Sequence, residues 1–395
     1  MYKKTLAVLA GAAVLFSSAV FQITDETSGK AAEHEYRAAD LISVMDVFLG
    51  KKDAGELQGN SYDFDGDGSC NIRDICLLKS LLTEKTAGKE ITVSGTGELK
   101  AALKNATAGD TILLAPGVYE SSEYGPKAAL FFSGAEGTET APVTLKSADE
   151  DDPAVLKGTD PAKGIVLYIT GDHWNIENII CCGAQKGIIL DNSNYSVIRN
   201  AEVYNTGQEG IHLRDGSSYC EITGAEVHDT GLAGSYGEAV YIGSAKSTDG
   251  YVYECDNNII KGCTLGPGVT DECVDIKEYT TGNIIENCVM YGGGMSAADS
   301  FVDIKGNRTT VRNNICYSQD NDKITDGFQV HSQLDGWGTD NVIEGNTVYF
   351  SGDTEYIART WRGSSCKVSG NIRVPENSSS MYRAYSGSTL TVEQE

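Results

Sequence analysis

The chain has 395 residues, 40% of them hydrophobic and 22% charged, which leaves room for one large domain plus a small one and excludes wholesale disorder. A formal charge of −25 excludes a nucleic-acid partner, because gripping a phosphate backbone needs a basic surface. An acidic substrate would likewise have to be met by local cations or a bound metal.

Residues 1–19 place Lys3 and Lys4 before an apolar run and end on Ser17, Ser18 and Ala19, the three-part order of a secretory signal peptide. The run is too short to span a bilayer and no later segment is longer, so the expected product is secreted and extracellular, with no membrane association. Eleven cysteines are an odd number and show no compact framework, so they do not predict a disulfide scaffold.

Residues 63–74 then set Asp63, Asp65, Asp67, Ser69 (through its carbonyl), Asn71 and Asp74 at the ligand positions of a twelve-residue calcium loop. Gly68 stands at the sharp turn, and an apolar helix over 75–82 follows. A weaker copy precedes it, with Asp40, Leu41, Val44 and Phe48 in register with Asp74, Ile75, Leu78 and Leu82. This duplicated loop and helix, over residues 33–84, resembles a dockerin, the module that docks cellulosomal enzymes onto the cohesin domains of a scaffoldin. The resemblance implies a cohesin partner. Because the first loop offers Gly29, Ala31 and Arg37 at ligand positions, one Ca2+ is expected rather than two. The alternative is that the helix faces pack on the neighbouring domain.

An amphipathic helix is predicted over 97–106, followed by a Gly109-Asp110 turn and a strand ending in Pro116-Gly117-Val118-Tyr119. This order resembles the N-terminal cap and first coil of pectate-lyase-like proteins and implies a right-handed parallel β-helix over 91–395. The sequence beyond residue 170 supports it with an irregular repeat of roughly 23 to 34 residues. One recurring strand reads Gly210-Ile-His-Leu213, Ala239-Val-Tyr-Ile242, Cys273-Val-Asp-Ile276, Phe301-Val-Asp-Ile304 and Gly327-Phe-Gln-Val330. A second precedes a column of small or amide residues, Ala201, Ala225, Cys263, Cys288, Asn314 and Asn346. Such a column suits a tight internal ladder of Asn hydrogen bonds and buried thiols. Cys263 and Cys288 fall on adjacent coils, which leaves a disulfide between them open.

If the aliphatic residues of the first strand point inward, alternation sends His212, Tyr241, Asp275, Asp303 and Gln329 outward. Two residues on, Arg214, Lys277, Lys305 and His331 share that face, while Glu209, Glu238, Glu272 and Asp326 precede the strand at a bend. Rungs about 4.8 Å apart crowd these groups into one groove. They form either a satisfied charge ladder or a carbohydrate site, to which Trp337 and Trp361 would add stacking platforms.

Two chemistries compete. In β-elimination a base takes the proton α to a uronate carboxylate while cations neutralise that carboxylate, roles that suit Lys277 and Lys305 with Arg214. In hydrolysis, Asp275 and Asp303 would act as paired carboxylates. Glu272-Cys-Val-Asp-Ile-Lys277, with Lys305 on the next coil, is similar to the site of the polysaccharide lyase family that includes chondroitinase B and alginate lyases. That resemblance implies Lys277 as base, Lys305 in the place of the family's Arg, and Glu272 as a groove calcium ligand. The family's second acidic ligand falls on Thr270 here, and Glu238 is the candidate substitute. The expected protein is a cellulosome-associated lyase of a uronate polymer, pectin-like, with a monomeric catalytic domain. A glycan-binding β-helix without catalysis is the third alternative.

Overall fold

The computed structural model describes residues 88–234, 236–376 and 380–393, the backbone of 20–23 and 34–37, and residues 45, 46, 74, 75 and 77. The chain divides into two units, Met1–Ala87 and Gly88–Glu395. In the first, strands Val20–Ile23 and His34–Arg37 pair antiparallel. Met45, Asp74 and Ile75 are buried; residues 75 and 77 are helical, inside the helix expected over 75–82, and Asp74, expected as the last loop position, is helical as well. Residues 1–19 and the loop positions Asp63, Asp65, Asp67, Ser69 and Asn71 lie outside the described residues.

The second unit begins with strand Glu90–Val93 and helix Thr96–Asn105, within a residue or two of the predicted helix. Leu99, Ala102 and Leu103 recur at helical spacing and are buried, and the Leu103 carbonyl accepts a 2.6 Å hydrogen bond from Ser133 Oγ. Beyond it the chain winds into coils of three short strands. Among the described residues these form a twelve-stranded and two ten-stranded sheets, with each strand pairing in parallel with its equivalent in the next coil. The expected parallel β-helix is therefore the observed architecture.

The interior is set by one aliphatic residue per strand. In the twelve-stranded sheet Ile198, Ile222, Ile260, Ile285, Val311 and Ile343 are in register and fully buried. Each such strand ends on a left-handed residue, Asn200, Gly224, Gly262, Asn287, Asn313 or Gly345, because Asn and Gly take that backbone cheaply. The next residue re-enters the core, which makes the column predicted from the repeat. In it Asn314 Nδ2 donates to Asn346 Oδ1 (2.9 Å) and Asn346 Nδ2 to Asn371 Oδ1 (3.0 Å). The nine described cysteines are all buried and free. Cys263 and Cys288 are thus thiols rather than a disulfide; each thiol donates to the carbonyl two residues back, on Lys261 (3.4 Å) and Glu286 (3.3 Å). No helix among the described residues is long and apolar enough to cross a membrane.

Candidate active site

The groove lies on the ten-stranded sheet that runs from Ala129–Ser133 to Tyr382–Ala384. Strand pairing puts His212, Tyr241, Asp275, Asp303 and Gln329 in one register column, as alternation required. The column does not stop there: Arg359 and Arg383 continue it. Beside it runs a second column through Arg214, Gly243, Lys277, Lys305, His331, Trp361 and Tyr385. Gly243 is a gap in that column. Its φ of +92° suits glycine, and a Cβ there would sit 2.7 Å from Thr280 Cγ2 and 3.2 Å from Lys277 Cβ.

At the centre, Lys305 Nζ bridges Asp275 Oδ1 and Asp303 Oδ2, each at 2.7 Å, and Lys277 Nζ pairs with Asp275 Oδ2. Burial works against the Lys305 ammonium, but Asp275, Asp303 and Glu272 outweigh it and hold its pKa well above the ordinary lysine value. Burial likewise opposes ionisation of Asp275, and Lys305 and Lys277 overcome it, leaving that carboxylate below its usual range. Lys277 Nζ also stands 4.8 Å from the centre of the Tyr241 ring. Burial, with Asp275 next to it, raises the Tyr241 pKa and keeps the phenol protonated.

The glutamates before the strand turn into the groove, a direction that alternation alone left open. Oxygens of Glu238, Glu272 and Asp275 all lie within 4.8 Å of one another. Burial, then Asp275 and Glu209, push the Glu238 carboxyl up to about 9; burial, then Asp275 and Asp303, push Glu272 up to about 8. Glu238 Oε2 is buried with no hydrogen-bond partner. Three converging carboxylates, two of them forced neutral and one orphaned, fit the donor set of a hard divalent cation.

Other groups expected to meet substrate are more tightly engaged. Arg214 is held by Asp191 (2.5 Å), which also accepts a hydrogen bond from the Tyr168 hydroxyl (2.8 Å). Buried His212 donates from Nε2 to the Gly243 carbonyl (2.8 Å). Gln329 donates to Asp326 (2.7 Å) and accepts from His331 Nε2 (2.8 Å), so it orients His331. Trp337 lies off both columns, tilted against Tyr279 at 5.4 Å, whereas Trp361 stands in line, stacked between His331 (5.1 Å) and Tyr385 (4.3 Å). A cleft of about 320 Å³ adjoins Tyr241 on the N-terminal side, lined by Lys186, Glu209, His212, Arg214 and Tyr251 among others.

Residues 82–312 match the family model described as Pel9A-like, right handed beta helix region. The chain belongs to this Pel9A-like right-handed β-helix family. Among solved structures it is similar to an alginate lyase from Paenibacillus sp. str. FPU-7, at 40% identity over 76% of this chain and 99% of that one, with a TM-score of 0.71. Two further likenesses show the fold: pectate lyase Pel9A (15% identity, 79% of this chain and 80% of that one, TM-score 0.54) and a rhamnogalacturonan lyase (13%, 77% and 87%, TM-score 0.59). No curated protein matched. With these relatives, this member of the Pel9A-like family is a polysaccharide lyase. Its groove agrees: Asp275, needed by a hydrolase either as a protonated acid or as a free base, is locked between two ammonium groups.

Proposed function

We propose that the groove binds an extended uronate polymer and cleaves it by β-elimination. The observation that carries this reading is the pair of lysine side chains, Lys277 and Lys305, one rung apart on the groove face beside the Tyr241 hydroxyl-bearing ring. Alginate is favoured over the pectin-like polymer expected from sequence, because the 40%-identical neighbour is an alginate lyase.

Lys277, acting from its neutral amine form, is the base that takes the proton α to the uronate carboxylate. As the C–H electrons form the new double bond, the bond to the departing sugar breaks, and the Tyr241 hydroxyl protonates the leaving oxygen. Lys305, kept charged by its two aspartates, stabilises the negative charge that builds on the carboxylate side. Glu238, Glu272 and Asp275 would hold calcium, which would supply further neutralisation of the substrate carboxylate and draw the Asp275 charge away from Lys277.

Incubating the full chain with alginate, pectate and glycosaminoglycans tests this. The ultraviolet absorbance of an unsaturated uronate should grow with one polymer. Lys277→Ala should abolish it, and Tyr241→Phe should slow it about a hundredfold or more. Reducing ends without absorbance would instead mean hydrolysis through Asp275 and Asp303, and silence in both assays would mean glycan binding alone.

The chain is further proposed to be exported and to act as a monomer, with residues 33–84 as a dockerin that holds one calcium and engages a cohesin. The spacing of Asp63, Asp65, Asp67, Asn71 and Asp74 supports that module. Capture on an immobilised cohesin should require calcium and should fail for Asp63→Ala/Asp67→Ala; capture that ignores both would refute it.

A further inference from the structure

The two groove columns change character toward the C-terminus. Around Asp275 the face mixes four carboxylates with two lysines, but the last two rungs present Arg359 with Trp361 and Arg383 with Tyr385. Lys186, Arg214, Lys277, Lys305 and Arg359 are each ion-paired with a carboxylate. Arg383 is exposed and in no ion pair among the described residues. Its guanidinium is nevertheless held in place, 4.8 Å from the centre of the Tyr385 ring and 5.6 Å from that of Tyr356. One rung below, Arg359 Nε and Trp361 Nε1 are buried donors with no hydrogen-bond partner. The faces of Trp361 are taken up by His331 and Tyr385, so what this end of the groove offers an anionic sugar is the exposed, pre-positioned guanidinium, whose forked donors a carboxylate takes.

Building on the proposed uronate specificity, we infer that these two coils form a distal subsite of the groove. Arg383 binds the carboxylate of a uronate that lies along the groove past Trp361 and Tyr385. Arg383 stands four rungs from Asp275, roughly 19 Å at about 4.8 Å per rung. A chain must therefore reach roughly 19 Å beyond Asp275, several sugars past the cleavage point, to fill the subsite. The consequence is a preference for long chains, carried by KM.

The test compares the full-length wild type with Arg383→Ala and Arg383→Lys on uronate trimer, hexamer and polymer. The advantage in KM of hexamer and polymer over trimer should shrink about tenfold in Arg383→Ala, with kcat unchanged, and should recover in part in Arg383→Lys. High salt should erase the difference between the proteins. Equal KM shifts at every chain length, or none, would overturn the subsite. Retardation of Lys277→Ala and Lys277→Ala/Arg383→Ala in gels containing polyuronate gives a readout independent of chemistry. Equal retardation of the two, or none of either, counts against the subsite. Absence of unsaturated product from the wild type counts against elimination alone.

Discussion

Two stacks of buried polar groups run along this solenoid, and they are built to opposite standards. In the internal ladder, Asn314, Asn346 and Asn371 each donate to a neighbouring main-chain carbonyl, at 3.0, 2.9 and 2.8 Å. Each Oδ1 accepts the main-chain N–H of the coil before, all at 2.9 Å. Nothing is left over. In the groove the same one-residue-per-rung logic places Glu238, Glu272, Asp275 and Asp303 against one another, with Glu238 Oε2 unpartnered and two carboxyls forced toward neutrality. A satisfied ladder fixes a fold, whereas an unsatisfied one stores unused binding capacity for something outside the chain.

The largest break in that contrast should come from Lys305. Lys305→Met keeps the stem but leaves Asp275 and Asp303 without the ammonium they share. Elimination should slow by about a thousandfold, and the uncompensated carboxylates should cost about 3–5 kcal/mol in chemical denaturation. Loss of stability with kcat intact would make Lys305 a strut of a charge ladder and nothing more.

The complementary change is Asn346→Ala. It removes the acceptor of the Asn314 main-chain N–H and of one Nδ2 hydrogen, both of which donate to Asn346 Oδ1 at 2.9 Å, while Nδ2 keeps its bond to the Ile285 carbonyl. A cost of about 2–3 kcal/mol is expected, with kcat unaltered because the ladder faces away from the groove. A drop in kcat as large as that of a groove variant would show that the two stacks are not separable.

How much of this the sequence disclosed follows from what alternation can encode. Two nearly identical segments, Val274-Asp-Ile-Lys277 and Val302-Asp-Ile-Lys305, carry aliphatic residues at both inward positions, so their outward neighbours could be read off directly. Two coils later the inward positions hold Ala358 and Thr360, then Tyr382 and Ala384, and the aliphatic signature vanishes although the register continues. Arg359 and Arg383 were missed for that reason; the spacing of Arg359 to Trp361 and of Arg383 to Tyr385, matching Asp303 to Lys305, was the available clue. The convergence of Glu238 and Glu272 was equally hidden, because residues at a bend obey no period-two rule. Trp337, a tryptophan in a Gly-rich segment, lies off both columns and packs on Tyr279, a placement that no period-two rule could supply.

The subtlest test lies in Glu238. Its folded carboxyl is pushed up to about 9, against an ordinary value of 4.5, by burial first and then by Asp275 and Glu209. Between those values the folded chain holds a proton that the unfolded chain has released, so the stability this group contributes is complete below about 4.5 and is lost as pH climbs through about 9. Glu238→Gln stays neutral throughout. At pH near 4.5 the variant should match the wild type within about 1 kcal/mol, and at higher pH without added metal it should become progressively the more stable of the two. Adding calcium at pH about 8 should reverse the order, because a cation can take the place of the proton in the wild type and finds one ligand fewer in the variant. Residues 63–74, proposed to hold a calcium of their own, are the same in both proteins and cancel from the comparison. Superimposable pH profiles, with equal calcium shifts, would mean that the groove carboxylates are as well satisfied as the asparagine ladder, and the distinction between the two stacks would fall.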